Sequence, residues 1–352
     1  MKKSLMALAA LATAGVASAQ SSVTVFGVID LGLQHTSGSL ASRSSVSTDG
    51  IDGSQLGFRG TEDLGSGLSA SFWLEAGFDP DTGSGQATNT NNQFNGWTSG
   101  GGLTFNRRST VSLAGGWGEL RLGRDYNTTL RNLGYFDPFY AQGVGGNQMI
   151  YSIGFRPTAF RVSNSIAYLY NTNGFWGGQG VYGTVQYYLG ENAGTSANPD
   201  DGKGYGFRVG YAKGPFDAAL AVGRTRYLSG DFKQSNIGGS WDLGFAQLRG
   251  QISRDSVGTV DSRGYLIGAM APVGLWLIRG DYSVYKTDDV GGSPAMKKWA
   301  LGYVYYMSKR TALYGTYAHL KNSGGANVAF PGAETAVNGS STGYEFGIRH
   351  NF

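Results

Sequence analysis

Apolar and polar residues alternate with a period of two along most of this chain, in segments of about ten residues that glycine-rich turns separate. The segment 22–36 places Val23, Val25 and Ile29 on one face and Thr24 and Asp30 on the other. Because successive side chains of a strand point to opposite faces, this alternation predicts β-strands with one apolar face. Sixteen strands are predicted, near residues 22–36, 54–62, 68–78, 106–114, 118–125, 161–170, 180–190, 203–213, 216–227, 232–242, 244–255, 260–271, 274–287, 296–307, 310–321 and 342–352.

The connections between these segments alternate in length. Short turns such as 115–117 and 308–310 alternate with long loops such as 79–105 and 126–160. An even number of strands with short turns at one end and long loops at the other is typical of outer-membrane barrels. Hydrocarbon offers no hydrogen-bond partner, so every backbone N–H and C=O group in the bilayer must be paired within the protein. Such a sheet must therefore close on itself. The pattern therefore predicts an all-β fold, a 16-stranded antiparallel transmembrane β-barrel with short periplasmic turns and long extracellular loops. A soluble β-sandwich or adhesin explains the alternation but not the loop lengths.

The first twenty residues follow a different pattern. Lys2 and Lys3 precede an apolar run from Leu5 to Val16, and Ala17-Ser18-Ala19 forms a small-residue cleavage box. These features predict a secretory signal peptide over 1–19, because the run is shorter than the ~20 residues of a membrane-spanning helix. The remaining residues, 20–352, are predicted to form a single outer-membrane barrel domain.

Composition narrows the possible functions. The whole chain has a net charge of +4, and without Lys2 and Lys3 it carries 26 basic and 24 acidic residues, which gives no case for a nucleic-acid partner. Glycine is frequent, at 59 residues, and cysteine is absent, so no disulfide can form.

Motifs for catalysis or metal binding are missing from the sequence. His35, His319 and His350 lie far apart, and neither H-E-x-x-H nor G-x-S-x-G occurs. The G-x-G-x-x-G match at 178–183 opens no predicted helix, so it does not indicate a nucleotide site. We therefore expect a protein that is not an enzyme and has no cofactor and no metal.

The polar faces of the strands carry the charges that could act on a solute. Strand parity predicts an inward orientation for Arg59, Glu75, Arg121, Arg161 and at least one of the adjacent Arg107 and Arg108. Parity favours Arg108, and a bulge would favour Arg107 instead. If these residues line a water-filled pore, they form a basic ladder on neighbouring strands. The alternative is that some arginines only pair with carboxylates such as Glu75.

Several segments together resemble the Gram-negative general (diffusion) porins, in particular those of the β-proteobacterial branch. They are SSVTVFGVIDLGL, SQLGFRGTEDLGSGLSASFWLEAGF, FNRRSTVSLAGGWGELRLGRDYN, RVSNSIAY, GYVYYMSKRTALYGTYAHL and GIRHNF, and they span nearly all of the mature chain. The resemblance implies a homotrimer in outer-membrane lipid, through which hydrophilic solutes and ions diffuse passively. It also implies that the third long loop folds inward and narrows the pore, and that arginines belong at positions 107 and 124.

The candidate constriction loop is 126–160, in which Asp137 is the sole carboxylate. With one acid against a basic wall, the balance predicts an anion-selective pore. The predicted constriction residues are Arg59, Glu75, Arg107, Arg108, Arg124, Arg161 and Asp137. Two alternatives remain: a substrate-specific channel for organic acids or phosphate, and a structural or adhesive barrel.

The segment TGYEFGIRHNF places Tyr344, Phe346, Ile348 and Phe352 on one face. We expect it to be the closing strand, paired with the first strand, with its aromatic end at the periplasmic interface. The resemblance implies that this pattern is an assembly signal for the outer-membrane insertion machinery.

Overall fold

The computed structural model describes residues 22–147, 156–173, 176–288 and 292–352. The predicted signal peptide at 1–19 and residues 148–155 of the predicted constriction loop lie outside the described residues. The described residues are almost entirely β-strand, with one α-helix, α1 (Thr128–Tyr135), and a single 3-10 turn at Phe94–Gly96. No helix in these ranges has both the length and the apolar character needed to cross a membrane.

Eighteen strands occur in the described residues and occupy sixteen positions around the barrel. They are β1 (Ser22–Gly38), β2 (Ser42–Thr48), β3 (Gln55–Gly65), β4 (Leu68–Asp79), β5 (Ser84–Gly85), β6 (Arg108–Gly115), β7 (Gly118–Tyr126), β8 (Arg161–Asn173), β9 (Gly177–Tyr188), β10 (Gly204–Lys213), β11 (Phe216–Thr225), β12 (Phe232–Asp242), β13 (Gln247–Val257), β14 (Val260–Val273), β15 (Trp276–Asp288), β16 (Ala295–Tyr306), β17 (Thr311–Ser323) and β18 (Ser340–Asn351). β2 and β3 pair with successive parts of β1 and share one position. The two-residue β5 pairs with β4 in a loop.

The sheet closes where β18 pairs antiparallel with β1, from Val28 opposite Asn351 to Gly38 opposite Ser341. Every neighbouring pair in the ring is antiparallel, so no strand edge is left for lipid to meet. The predicted 16-stranded barrel is confirmed. The prediction missed β2 within the loop 37–53, because its sequence SRSSVST has Val46 as its single apolar residue and shows no alternation.

The two faces of the barrel wall have opposite character. Outward positions are apolar and exposed: Val25 is 56% exposed, Ile267 67% and Leu301 58%. Inward positions hold polar residues that are buried, such as Asp30, Glu75 and Gln234. A continuous exposed apolar band of this kind is stable only where the solvent around it is lipid.

We call the loop after β7 L3 (residues 127–160), and its described residues, 127–147 and 156–160, lie inside the barrel. Asn132 Nδ2 donates to Asn236 Oδ1 at 2.7 Å, Asn147 Nδ2 to Asp281 Oδ2 at 2.6 Å, and Val144 N to Glu345 Oε1 at 3.3 Å. These acceptors belong to β12, β15 and β18 and all have inward parity. The described part of L3 therefore runs along the inner wall, as the family resemblance implied. The strand pattern did not predict α1, which is eight residues long.

Inward-facing glycines mark the track that L3 follows across the wall. A Cβ atom at Gly268 would lie 2.6 Å from Pro138 Cγ, and one at Gly343 would lie 3.0 Å from Val144 Cγ1. At Gly238 an added Cβ would overlap the ring of Phe136. The described part of L3 thus packs on the wall because these positions carry no side chain.

Substitution of Gly238 by leucine should displace L3 from the wall, because overpacking costs about 1–3 kcal/mol. We expect a lower melting temperature and a changed single-channel conductance. Gly239→Leu is the matched control: its Cβ points to lipid and meets nothing closer than Asp217 O at 3.4 Å. Equal conductance in the two variants and in the unsubstituted protein would contradict this packing.

Candidate functional site

The wall that faces the interior on β1, β3, β4 and β6 carries arginines that lie against aromatic rings. Arg59 on β3 is exposed, and its guanidinium carbon lies 5.2 Å from the ring centroid of Phe26 and 5.1 Å from that of Trp73. The guanidinium of Arg108 lies 4.6 Å from the Trp73 centroid, and its Nε donates to Thr110 Oγ1 at 3.0 Å. Cation–π contacts of this kind contribute about 0.5–2 kcal/mol and fix the orientation of the guanidinium.

A chain of hydrogen bonds links this group to the start of L3. Glu75 accepts from Arg107 Nε at 2.7 Å and from Trp73 Nε1 at 2.9 Å. The hydroxyl of Tyr126 accepts from Arg107 at 3.2 Å and from Arg161 at 2.6 Å. The guanidinium of Arg161 also lies 4.2 Å from the Tyr126 ring centroid.

These contacts set the local charge balance. Of the four arginines at 59, 107, 108 and 161, Arg107 is the one that forms an ion pair within the described residues, with Glu75. The other three rest on aromatic rings and neutral acceptors. This stretch of wall therefore carries an excess of positive charge.

Both Arg107 and Arg108 face inward, although strict alternation would allow one of them. Arg107 precedes β6, and its N–H donates to Glu75 O at 3.1 Å. The neighbouring Asn106 accepts from Gly77 N through its side chain at 2.7 Å. Because the backbone leaves the regular ladder at this point, the parity rule does not apply to Arg107.

Arg124 lies near Arg161 but is bound by protein acceptors, and its place in the constriction stays a prediction. The ladder shifts register between Gly123 and Asp125, and the half-buried Arg124 sits at this bulge. Its guanidinium donates to Asn106 O at 2.6 Å, Asn89 O at 2.9 Å and Ser163 Oγ at 2.7 Å. Arg124 therefore anchors the loop 79–105 to the wall.

Asp137 is placed differently from the prediction. It is fully buried, and its carboxylate accepts from the backbone N–H groups of Phe139 at 2.7 Å, Ala141 at 3.1 Å and Asn147 at 2.9 Å. The carboxylate thus organises a turn of L3 and is absent from the water-facing surface. Sequence pattern gives no rule for the direction of a carboxylate in a loop.

Other inward-facing arginines form ion pairs with carboxylates or hydrogen bonds with L3. Arg121 pairs with Glu119 at 2.8 Å and with Asp125 at 2.7 Å, and Arg131 of α1 pairs with the same Asp125 at 2.7 Å. This group is balanced, with two acids and two bases. Arg249 donates to Tyr135 O at 2.8 Å and Asp137 O at 3.0 Å and so holds L3 to the wall.

Several inward carboxylates are turned towards protein donors. Asp30 accepts from Tyr314 at 2.6 Å, and Asp217 accepts from Tyr182 at 2.7 Å and Tyr135 at 2.8 Å. Burial, with the hydrogen bond to Asp217, raises the pKa of Tyr135 in L3 to about 12, so its hydroxyl stays protonated as a donor. These acids therefore offer little charge to the water in the pore.

The sequence analysis missed the aromatic residues that hold the arginines. Phe26 and Trp73 lie on the inward faces of β1 and β4, where their partners across the strands are Gly57 and Arg59. The available signal was a large aromatic residue at a position that strand alternation places on the water-facing side of the wall. A ring at such a position can pack only on neighbouring side chains.

Comparison with known proteins agrees with this architecture. Residues 5–325 match the family described as Gram-negative porin. The chain is 36% identical to outer membrane porin protein 32 of Delftia acidovorans, over all of both chains. It is 32% identical to the major outer membrane protein P.IB of Neisseria meningitidis serogroup B, over 60% of this chain and 56% of the relative. A solved anion-selective porin from Comamonas acidovorans is 32% identical, with a TM-score of 0.77, over 94% of this chain and 100% of that one.

The closed barrel, its lipid-facing band and its polar interior define a transmembrane channel of the outer membrane. The chain belongs to the Gram-negative porin family and is an outer-membrane porin.

Proposed function

We propose that this porin is an anion-selective channel for the passive diffusion of small hydrophilic solutes and ions. Arg59, Arg108 and Arg161 line its narrow part, on the wall across from L3. The observation that carries this proposal is the charge balance, because Arg107 is the one of the arginines at 59, 107, 108 and 161 that forms an ion pair within the described residues, with Glu75. The solved relative from Comamonas acidovorans is itself described as an anion-selective porin, which supports the same conclusion.

Selectivity follows from the field of fixed charges in confined water. Low-dielectric walls focus the field of the arginines into the pore, so the local concentration of anions rises and that of cations falls. The rings of Phe26, Trp73 and Tyr126 keep the guanidinium groups at fixed positions while ions pass. The solute keeps most of its water and no bond is made or broken, so the protein acts as a channel and not as an enzyme.

Substitution of Arg59, Arg108 and Arg161 by glutamine should lower the ratio of anion to cation permeability stepwise, because each change removes one charge from the wall. The measurement is the zero-current potential of each variant in planar bilayers under a salt gradient. Lys213→Gln is the control, since Lys213 is exposed beside a short turn and away from the pore. A triple variant with unchanged selectivity would contradict the assignment.

A substrate-specific channel is the second candidate. Fixed guanidinium groups can bind a carboxylate or a phosphate through two parallel hydrogen bonds, and Arg59 is exposed for such a contact. Flux that saturates with an organic acid, together with block of the chloride current by that acid, would favour this function. A purified protein without conductance would favour a structural or adhesive barrel instead.

We also propose that the porin is a homotrimer and that the aromatic pattern of β18 is an assembly signal. The outward side chains Tyr344, Phe346, Ile348 and Phe352 are 43%, 56%, 48% and 45% exposed. The backbone of Phe352 exchanges two hydrogen bonds with Gly27, at 3.0 and 3.1 Å. The Phe352 ring fills the space beside Gly27 that a side chain there would occupy.

Replacement of Phe352 by alanine should reduce the yield of heat-resistant trimer several-fold, because the ring that covers Gly27 and completes the aromatic pattern is lost. Phe352→Tyr keeps the ring and should assemble normally. The measurement is the heat-resistant fraction on gel electrophoresis of outer-membrane extracts. Equal yields of the alanine variant and the unsubstituted protein would refute the signal.

A further inference from the structure

The last loop of the chain, residues 324–339 between β17 and β18, carries a buried aromatic ring. Phe330 is 2% exposed, whereas Val337 in the same loop is 60% exposed. Connecting loops run as a rule over the surface, where their side chains meet water. A ring that is almost fully buried in such a loop therefore indicates a packing partner inside the barrel.

The partner of Phe330 is the constriction loop L3. Phe330 belongs to one buried apolar cluster with Phe139 and Val144 of L3. The wall contributes the remaining buried members, Ala300 of β16 and Ala318 and Leu320 of β17. A Cβ atom added at Gly343 of β18 would lie 3.0 Å from Val144 Cγ1 and 3.3 Å from Phe330 Cδ2. The two loops therefore meet over a wall position that carries no side chain.

Hydrogen bonds fix the turn that carries this ring. The side-chain amide of Asn322, at the end of β17, donates to Val328 O at 2.8 Å and accepts from Val328 N at 3.0 Å. Phe330 N donates to Ser341 Oγ at 3.1 Å, and the carbonyl oxygen of the next residue accepts from Thr36 Oγ1 at 3.0 Å. The turn is therefore attached to β17, β18 and β1, and it holds the ring in one place.

The backbone of L3 at this point is held by polar contacts, and its side chain is held by packing. Gly143 N donates to Asp49 O at 3.2 Å, and Val144 N donates to Glu345 Oε1 at 3.3 Å. Among the buried members of the cluster from outside L3, Phe330 is the largest side chain, because the wall supplies two alanines and one leucine. Without the ring, these small residues would leave a cavity beside Val144.

This contact borders the interior of the barrel. An interior space of about 420 Å³ lies beside it. The lining of this space includes Gly143 and Val144 of L3, Pro331 of the last loop, and Gln34 and Ser45 of β1 and β2. A shift of the L3 turn therefore changes the free cross-section at this level. The arginines at 59, 108 and 161 belong to β3, β6 and β8, so such a shift leaves their charges in place.

We propose that Phe330 is a positioning residue for the pore. Its ring holds the L3 turn around Val144 against β16–β18, and the position of this turn sets the width of the narrow part. The inference rests on the proposed diffusion channel, and it assigns selection by size to a contact that is separate from the arginines. Size and charge are then selected by different parts of the wall, so each can be changed without the other.

The test is the single-channel conductance of the intact porin in planar bilayers, together with the uptake of uncharged sugars of increasing size into liposomes. Phe330→Ala should conduct roughly 1.5-fold more and admit larger sugars, because the L3 turn loses its largest neighbour. Its zero-current potential in a salt gradient should keep its sign. Val337→Ala is the matched control, since it shortens an exposed side chain of the same loop and should change neither measurement. Phe330→Leu keeps an apolar side chain over Gly343 and should restore the conductance of the unsubstituted protein.

Val144→Ala tests the same contact from L3 and does not depend on the folding of the Phe330 variants. If the two side chains act on each other, the double variant should conduct no more than the stronger single variant, because effects of residues in contact are not additive. Unchanged conductance in both single variants, additive increases in the double variant, or an equal effect of Phe330→Leu and Phe330→Ala would overturn the proposal. Cation selectivity of the unsubstituted porin would contradict the charge assignment alone, because conductance and sugar uptake do not report the sign of the charges.

Discussion

The pairing of β18 with β1 is the interaction on which the rest of this structure depends. A backbone N–H or C=O left open in hydrocarbon costs several kcal/mol, so a sheet in a bilayer must have no edge. Eleven residue pairs, from Val28–Asn351 to Gly38–Ser341, remove that edge. Once the ring is closed, strand alternation divides the chain into an apolar outer set and a polar inner set. The pore and its charges follow from that division.

The shape of the interior then depends on where the inner wall leaves space for L3. L3 fits along β10–β18 because glycines such as Gly238 and Gly268 face it, and buried polar contacts to Asn236 and Asp281 hold it there. The opposite wall keeps its arginines, which rest on Trp73, Phe26 and Tyr126. In the group around Asp125, the acids and bases neutralise each other.

Period-two alternation was sufficient to predict the sixteen barrel strands to within a few residues, and it gave the inward parity of Arg59 and Glu75. It failed wherever the backbone leaves the ladder. Arg107 lies before β6, Arg124 sits at a bulge, and the orientation of Asp137 depends on a turn within L3. β2 was missed because its serine-rich sequence shows no alternation, and α1 was missed because eight residues are too few to show a helical period. The roles of the pore arginines in selectivity stay a prediction.

The central claim is that uncompensated arginines on one wall make the pore prefer anions. It is tested most directly by the zero-current potential of the unsubstituted porin between concentrated and dilute potassium chloride. The account predicts that chloride crosses faster than potassium, so the dilute side becomes negative. A positive potential on the dilute side would mean that the pore prefers cations and would contradict the account.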